Sequence, residues 1–226
     1  INEKIRTRKY KKTELGQIPS HWDIVDLYDV RDKSDRYSFA GGPFGSDLKR
    51  SDYTETGVRI LQLQNIGDGE FLDKYKIFTS EQKAKQLSKC LVYPGDILIA
   101  KMADPVARAC IIPTDDKYYL MASDGIRLSV NKDEYDTNYL MYAINSSYFR
   151  KMAVVNSTGT TRLRIGLDKL KKLPIIKPPK SEQVEIGKLL SLIDQKRNLT
   201  KSIEKELTTL KTGLFQNVFN QKYYED

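Results

Sequence analysis

Residues 181–222, SEQVEIGKLLSLIDQKRNLTKSIEKELTTLKTGLFQNVFNQK, contain a heptad repeat that continues through the whole segment. The positions that follow its alternating three- and four-residue spacing are Ile186, Leu189, Ile193, Lys196, Thr200, Ile203, Leu207, Leu210 and Leu214. The segment contains no proline, and its two glycines lie near its ends. The pattern therefore predicts a single helix about 60 Å long, at ~1.5 Å per residue.

Such a helix is too long to bury its whole apolar seam against the domain that precedes it, so we expect a partner helix. An ordinary helix that packs along its own domain is the alternative. A second copy of the chain could supply the partner in an antiparallel, two-fold dimer, which would keep two basic domains apart. In such a pair the polar seam residues Lys196 and Thr200 would lie near the two-fold axis and help to set the register.

The part of the chain before this helix has a mixed pattern of strands and helices. Alternation of apolar and polar residues in 57–66 predicts a strand, and the apolar run 97–100, which follows a Pro94-Gly95 turn, predicts another. Residues 80–89 and 136–155 have helical spacing. Because the elements do not alternate as regular strand–helix–strand units, we expect an α+β domain with a twisted, mostly antiparallel sheet.

The proline-containing segment 174–180 separates two predicted regions. The first is a domain over residues 1–178, with a basic N-terminal arm that we place at residues 1–15. The second is the long helix over residues 181–222.

The net charge of +8 is concentrated in two segments. Residues 1–12 contain six Lys/Arg and one Glu, and residues 150–180 contain nine Lys/Arg and one Asp. These segments carry +5 and +8, which leaves −5 for the rest of the chain. Basic segments on a mildly acidic body indicate a polyanionic partner, most simply nucleic acid. A lysine-rich surface that only maintains solubility is the alternative.

The sequence lacks the residue patterns that catalytic and metal sites require. Cys90 and Cys110 have apolar neighbours, which is typical of reduced core cysteines in a cytoplasmic protein. His21 is the single histidine, so no metal site is expected. The glycines of 41–45 are followed by Ser-Asp instead of the Lys-Ser/Thr of a phosphate-binding loop. No apolar run reaches the ~18 residues of a membrane span. We expect a binding protein that is not an enzyme and uses no cofactor.

The segment 157–175, STGTTRLRIGLDKLKKLPI, is the strongest candidate for contact with a polyanion. If residues 157–165 are extended, alternate side chains face opposite sides of the strand. The outward set is then Thr158, Thr160, Arg162 and Arg164, and the inward set is Leu163 and Ile165. Arginine binds phosphate or guanine edges in bidentate fashion, and threonine bonds to phosphates. An exposed basic strand without a ligand is the alternative.

Six motifs occur in order along nearly the whole chain. They are GQIPSHW (16–22), GGPFGSDLKRSDY (41–53), GVRILQLQNIGDG (57–69), VYPGDILIAKMADPVARA (92–109), STGTTRLRIGLDKLKKLPI (157–175) and PPKSEQ (178–183). Together they resemble the target-recognition domain and the following helix of the specificity subunits of type I restriction–modification systems. Two positions depart from that pattern. Leu163 stands where the family often has proline, and Gly166 stands where a capping Asn or Ser is usual, which weakens the N-cap of a short helix predicted at 167–172.

The resemblance implies a non-catalytic subunit that binds double-stranded DNA, reads it by loops in the major groove, and holds methyltransferase subunits in place. It also implies a motor–nuclease restriction subunit as a further partner. Full-length members have two recognition domains separated by two antiparallel helices, each domain reading one half of a split target. This chain has one recognition domain and one helix, so we expect either a fragment or a half-size subunit that dimerises through its helix. The alternatives are a coiled-coil scaffold without sequence-specific DNA binding and a specificity subunit of a related type II restriction–methylation enzyme.

The candidate DNA-binding residues are polar or basic side chains in the loops and at the strand ends of these motifs. They are Ser46, Lys49, Arg50, Gln62, Gln64, Asn65, Lys101, Arg108, Thr158, Thr160, Thr161, Arg162 and Arg164. Gln and Asn are the side chains that read adenine, whereas Arg reads guanine or binds phosphate. The candidate residues for the dimer or partner helix are the apolar heptad positions. They are Ile186, Leu189, Ile193, Ile203, Leu207, Leu210 and Leu214.

Overall fold

The computed structural model describes residues 9–102 and 104–219, without the side chain of Asn217. The beginning of the predicted basic arm, residues 1–8, and the end of the predicted helix, residues 220–222, lie outside the described residues.

The described chain contains short strands and five α-helices. The strands are β1 (Tyr10–Thr13), β2 (Gly16–Pro19), β3 (Asp23–Asp26), β4 (Phe39–Gly41), β5 (Tyr53–Thr54), β6 (Val58–Leu61), β7 (Ile77–Thr79), β8 (Leu91–Val92), β9 (Ile97–Ala100), β10 (Ala109–Ile111), β11 (Tyr119–Met121), β12 (Gly125–Leu128), β13 (Ser157–Thr158), β14 (Arg164–Ile165) and β15 (Pro174–Lys177). The helices are α1 (Glu81–Gln86), α2 (Thr137–Asn145), α3 (Ser147–Val155), α4 (Leu167–Lys171) and α5 (Lys180–Phe219). Short 3-10 turns are formed by Leu27–Val30, Arg50–Asp52, Leu63–Asn65 and Ser88–Cys90.

The strands form two larger sheets and three two-stranded ones. The four-stranded sheet has the order β10-β9-β12-β4 and is antiparallel throughout. The five-stranded sheet has the order β5-β7-β6-β11-β8, and only its β6–β11 pair is parallel. The predicted α+β class with mostly antiparallel pairing is therefore confirmed, although the strands are divided among several sheets.

Strand β9 belongs to both hydrophobic cores. Ile97 and Ile99 pack with the core that contains α2 and α3, whereas Leu98 and Ala100 pack with the core that contains β6 and β11. All four residues are fully buried. Because successive side chains of a strand point to opposite faces, a strand covered on both sides is apolar at every position. This is why residues 97–100 are an uninterrupted apolar run.

Several predicted elements have different boundaries in the structure. The segment 136–155 is two helices, because Ser146 has an extended conformation and its hydroxyl accepts a hydrogen bond from the N–H of Phe149 at the start of α3. Part of the predicted arm is ordered, since β1 pairs with β2 in a hairpin. The proline-containing segment also forms a strand, β15, which pairs with β3.

The first residues of α5 are bonded to the domain that precedes them. Glu182 accepts a hydrogen bond from the Trp22 indole at 3.0 Å, and its other carboxylate oxygen lies 2.7 Å from the His21 ring. Gln183 is fully buried, where its amide accepts from the N–H of Asp136 and donates to the carbonyl of Pro178. These contacts explain the PPKSEQ motif as the attachment of the helix.

Two compact units are present, and they divide between Gly187 and Lys188. In the second unit, six of the predicted seam residues are half-exposed or more. They are Leu189, Ile193, Ile203, Leu207, Leu210 and Leu214. None of the helices in the described part of the chain combines the length and apolar composition that a membrane span requires.

Candidate nucleic-acid interface

The basic segment 157–165 forms a hairpin and not one extended strand. Ser157 pairs with Ile165 and Thr158 with Arg164, so residues 159–163 form the connecting turn. Gly159 has φ +99°, a conformation that residues with a side chain rarely adopt, and a Cβ there would lie 2.6 Å from the carbonyl oxygen of Arg162. Glycine is therefore required for this turn to close.

The predicted division into inward and outward side chains holds for Thr158, Thr160 and residues 162–165, but not for Thr161, which an extended strand would turn inward and which is exposed. Ile165 is fully buried, and Leu163 is half-buried against the core that contains α2 and α3. The exposed side chains are Thr158, Thr160, Thr161, Arg162 and Arg164. The two apolar residues hold the hairpin against the domain, and its hydroxyl and guanidinium groups face solvent.

Polar contacts also attach the hairpin to the turn after β11 and to the loop after β9. The Arg164 guanidinium forms an ion pair with Asp124. The N–H of Ile165 donates to the carbonyl of Lys101 at 3.0 Å, and the N–H of Lys101 donates to the carbonyl of Asp124 at 2.7 Å. Arg164 is therefore fixed in orientation by a carboxylate, whereas Arg162 lies on the exposed turn.

A cleft of about 550 Å³ lies between the hairpin and the two loops that follow β6 and β9. We call it the hairpin cleft, and its lining residues are Leu63, Met102, Asp104, Pro105, Val106, Arg108, Val154, Thr160, Thr161, Arg162 and Leu163. The Arg108 guanidinium donates to the carbonyl of Leu63 at 2.9 Å and to that of Asp104 at 3.2 Å. Arg108 thus connects the two loops, and part of its hydrogen-bonding capacity is already used.

The amides predicted at the end of β6 have different environments. Asn65 is fully buried, and its amide donates to the carbonyls of Leu72 and Lys74 at 3.1 and 2.6 Å. Its prediction as a DNA contact is therefore wrong, because its side chain is enclosed and bonded to the backbone. Gln62 is half-buried, with its amide 3.5 Å from the Tyr53 hydroxyl, whereas Gln64 is exposed.

The loop between β4 and the turn at Arg50–Asp52 exposes Ser46, Lys49 and Arg50. Its end is fixed by the N–H of Lys49, which donates to the Asp52 carboxylate at 2.8 Å. That hydrogen bond, together with the ion pair of Asp52 with Lys83, lowers the pKa of Asp52 below its usual value. The carboxylate therefore stays charged and holds the loop at neutral pH.

The start of this loop is held by the same turn that holds the hairpin. The N–H of Gly42 donates to the carbonyl of Gly125 at 2.9 Å, and a Cβ on Gly42 would lie 1.9 Å from the carbonyl oxygen of Ala122. Since Asp124 in this turn also binds Arg164, residues 122–125 support both segments. The loop 42–50 and the hairpin therefore leave the domain from neighbouring points.

Seven of the predicted site residues lie on the hairpin, at its attachment or in the hairpin cleft. They are Lys101, Arg108, Thr158, Thr160, Thr161, Arg162 and Arg164. Ser46, Lys49 and Arg50 lie on the loop 42–50, whose start at Gly42 contacts the turn 122–125 that also binds the hairpin. The supporting residue Asp124 was not predicted, although the Ser-Asp-Gly sequence at 123–125, between two apolar runs, is typical of a tight turn. Among the described residues, no group of three His, Cys, Asp or Glu could hold a metal ion.

Comparison with known proteins identifies the family. A family model described as the type I restriction modification DNA specificity domain matches residues 19–209. The chain belongs to this family. The resemblance inferred from the six motifs is thereby confirmed.

Two curated relatives come from Methanocaldococcus jannaschii. One is the type I restriction enzyme MjaVIII specificity subunit, 25% identical over 91% of this chain and 49% of its own length. The other is the MjaX specificity subunit, described as that of a type I restriction enzyme, 26% identical over 97% of this chain and 50% of its own length. The chain thus spans about half the length of these relatives.

Solved structures share the fold. A chain from a study of complex assembly and conformational transition of the type I R-M system aligns with TM-score 0.66 at 20% identity, covering 96% of this chain and 48% of that one. The HsdS subunit from Thermoanaerobacter tengcongensis aligns with TM-score 0.58 at 21% identity, covering 94% of this chain and 48% of that one. Both solved chains therefore share the fold of this chain at about 20% sequence identity.

Proposed function

We propose that the chain is a DNA sequence-specificity component of a type I restriction–modification enzyme. The observation that carries this proposal is the exposed basic hairpin 157–165, fixed to the domain by half-buried Leu163, by buried Ile165 and by the Arg164–Asp124 ion pair. Sequence readout requires side chains held in a defined position, because a bidentate contact with a base edge depends on orientation. Family membership supports the same role.

The contacts with DNA are assigned to two segments. The hairpin supplies Arg162, Arg164 and the threonine hydroxyls, and the loop 42–50 supplies Ser46 and two cations. Lys101, Arg108, Gln62 and Gln64 lie at the edges of this surface. Phosphate contacts fix the position of a protein on the duplex, and base contacts give specificity. We assign Arg164 to a fixed contact because Asp124 already orients it.

The chain acts through binding and not through catalysis, and it reads one half of a split target. Its partners are methyltransferase subunits and, in a complete restriction enzyme, a motor–nuclease subunit. The names of the two curated relatives, which are specificity subunits of type I restriction enzymes, support this assignment. The predicted division into a recognition domain over 1–178 and a helix over 181–222 is kept as part of the proposal.

A second copy of the chain pairs with α5 in an antiparallel dimer. The exposed apolar seam supports this pairing, since six apolar heptad residues stay half-exposed or more along the second unit. Two identical recognition domains would favour a palindromic split target, because the same surface meets each half-site.

The test is DNA binding by Arg162→Ala and Arg164→Ala variants over a range of salt concentrations. The DNA is a duplex that the wild-type protein enriches from a random library. Loss of a base-reading arginine should weaken binding by about 1–3 kcal/mol and relax specificity at one position. Loss of a phosphate contact should weaken all duplexes evenly and reduce the salt slope by about one.

Arg36→Ala is the matched control. Arg36 is also an exposed arginine, and it precedes β4, whereas the loop 42–50 follows that strand. Its substitution should leave binding unchanged. Unchanged binding in both hairpin variants, or an equal loss in the Arg36 variant, would contradict the assignment of the hairpin.

A further inference from the structure

Phe44, on the loop 42–50, is an aromatic residue whose side chain is not part of either hydrophobic core. It is 77% exposed, the largest exposed fraction of any aromatic side chain in the described part of the chain. Single exposed apolar residues are common on protein surfaces and by themselves indicate nothing. What distinguishes Phe44 is its position on a loop whose backbone is attached to the domain.

The ring lies on a short turn that is held at both ends. The N–H of Asp47 donates to the carbonyl of Phe44 at 2.9 Å, which closes a turn over residues 44–47. Pro43 before the turn is buried, and Leu48 after it packs against the core that contains β6 and β11. The backbone under the ring is therefore attached to the domain, while most of the ring itself is exposed to solvent.

The surroundings of the ring are polar and basic. Ser46, Lys49 and Arg50 are exposed on the same loop. The loop begins at Gly42, which contacts the turn 122–125, and Asp124 of that turn binds Arg164 of the hairpin. On its own loop, 42–50, the ring is accompanied by one hydroxyl group and two cations and by no other exposed apolar side chain.

We infer that Phe44 is a specificity residue that makes an apolar contact with the bases of the bound duplex. The inference rests on the proposed function and extends it to a residue that carries no hydrogen-bonding group. Phenylalanine side chains contact thymine methyl groups in the major groove or insert as wedges at base steps, while neighbouring cations bind the phosphates. The exposed ring with cations on the same attached loop matches this arrangement.

The experiment compares Phe44→Ala, Phe44→Leu and Phe44→Trp on two duplexes. One is the duplex that the wild-type protein enriches from a random library, and the other is a scrambled duplex of equal composition. Phe44→Ala should weaken binding to the enriched duplex by about 5- to 100-fold, the range that one aromatic base contact contributes. Binding to the scrambled duplex and the salt slope should stay unchanged, because no charge is removed.

The other two variants separate a base contact from a structural role. Phe44→Leu should restore part of the affinity and Phe44→Trp most of it, since both keep apolar volume at the position. The new indole should also show a change in fluorescence on binding the enriched duplex. Tyr75→Trp, at another exposed aromatic position, is the matched spectroscopic control and should show none.

The outcomes distinguish this inference from the proposed function. Wild-type protein that enriches no sequence would contradict the proposed function and the inference with it. If the wild-type protein enriches a duplex but Phe44→Ala binds it with unchanged affinity, the inference alone is wrong. Equal losses on both duplexes would also overturn it, because they indicate a change in the whole loop.

Discussion

The proposed helix pairing predicts that Leu207→Ala combined with Leu210→Ala separates the dimer into monomers. Both leucines lie on the heptad seam of α5 and are 58% and 60% exposed in the single chain. In a coiled coil they would be covered by the partner helix, so their truncation removes apolar contact that exists only in the dimer.

The size of the effect follows from the exposed fractions. Complete burial of a leucine side chain contributes about 1.5–3 kcal/mol, so covering the exposed part of each leucine contributes about 1–2 kcal/mol. A two-fold dimer contains each substitution twice, and alanine keeps one methyl group. The double variant should therefore lose about 3–6 kcal/mol of association free energy, which is about 10²- to 10⁴-fold in the dimer dissociation constant.

Sedimentation velocity at protein concentrations between about 1 and 100 μM measures the dissociation constant of the dimer. A dissociation constant of about 1 μM corresponds to an association free energy of about −8 kcal/mol. The control is Lys205→Ala with Thr212→Ala, two exposed positions off the seam, which should leave the dimer intact. A wild-type protein that stays monomeric over the whole range would refute the pairing of two copies. A double alanine variant that dimerises as well as the wild type would show that Leu207 and Leu210 do not lie in the dimer interface.

Three further predictions concern the domain. Ile165→Ala should reduce the free energy of unfolding by about 2–5 kcal/mol and expose the hairpin to limited proteolysis, because the side chain is fully buried. Burial raises the pKa of the Cys90 thiol to about 11 and that of Cys110 to about 12, so iodoacetamide at pH 8 should modify neither in the folded protein, as mass spectrometry can show. Asp96→Asn should cost about 1–3 kcal/mol in urea denaturation, because the buried Arg127 loses a carboxylate 2.6 Å from its Nε but keeps its ion pair with Asp35 at 2.8 Å.

The sequence predicted the elements of the fold better than their arrangement. The strand at 97–100 and the long helix follow from local patterns, since the first is a short uninterrupted apolar run and the second is a heptad repeat. The break at Ser146 could not be seen in this way, because the apolar stripe continues through it. It coincides with Asn145, whose amide bonds to both backbone groups of Ala109, a contact between residues distant in sequence.

The orientation of candidate site residues was predictable only where the local backbone follows a regular pattern. The alternation of residues 162–165 is kept in the second strand of the hairpin, so the orientations of these four residues were predicted correctly, whereas Thr161 in the turn departs from it. Asn65 was selected as an amide at the end of a predicted strand, and it is buried because the chain leaves the strand after Leu61 and enters a 3-10 turn. Alternation with period two no longer applies there, and the amide turns inward to the backbone.

The proposed DNA-contacting surface and the hydrophobic core depend on different residues. Each proposed DNA-contacting segment is attached to the domain by apolar residues: Pro43 and Leu48 hold the loop, and Leu163 and Ile165 hold the end of the hairpin. Substitutions at the exposed positions of these segments should change affinity and specificity with little effect on the free energy of unfolding, since no buried contact is lost. Substitutions of the apolar residues that attach these segments should lower the free energy of unfolding. They should weaken DNA binding only indirectly, because the exposed groups are no longer held in place. The proposed function therefore predicts that the domain can acquire a new DNA target through changes of exposed turn residues while its core stays the same.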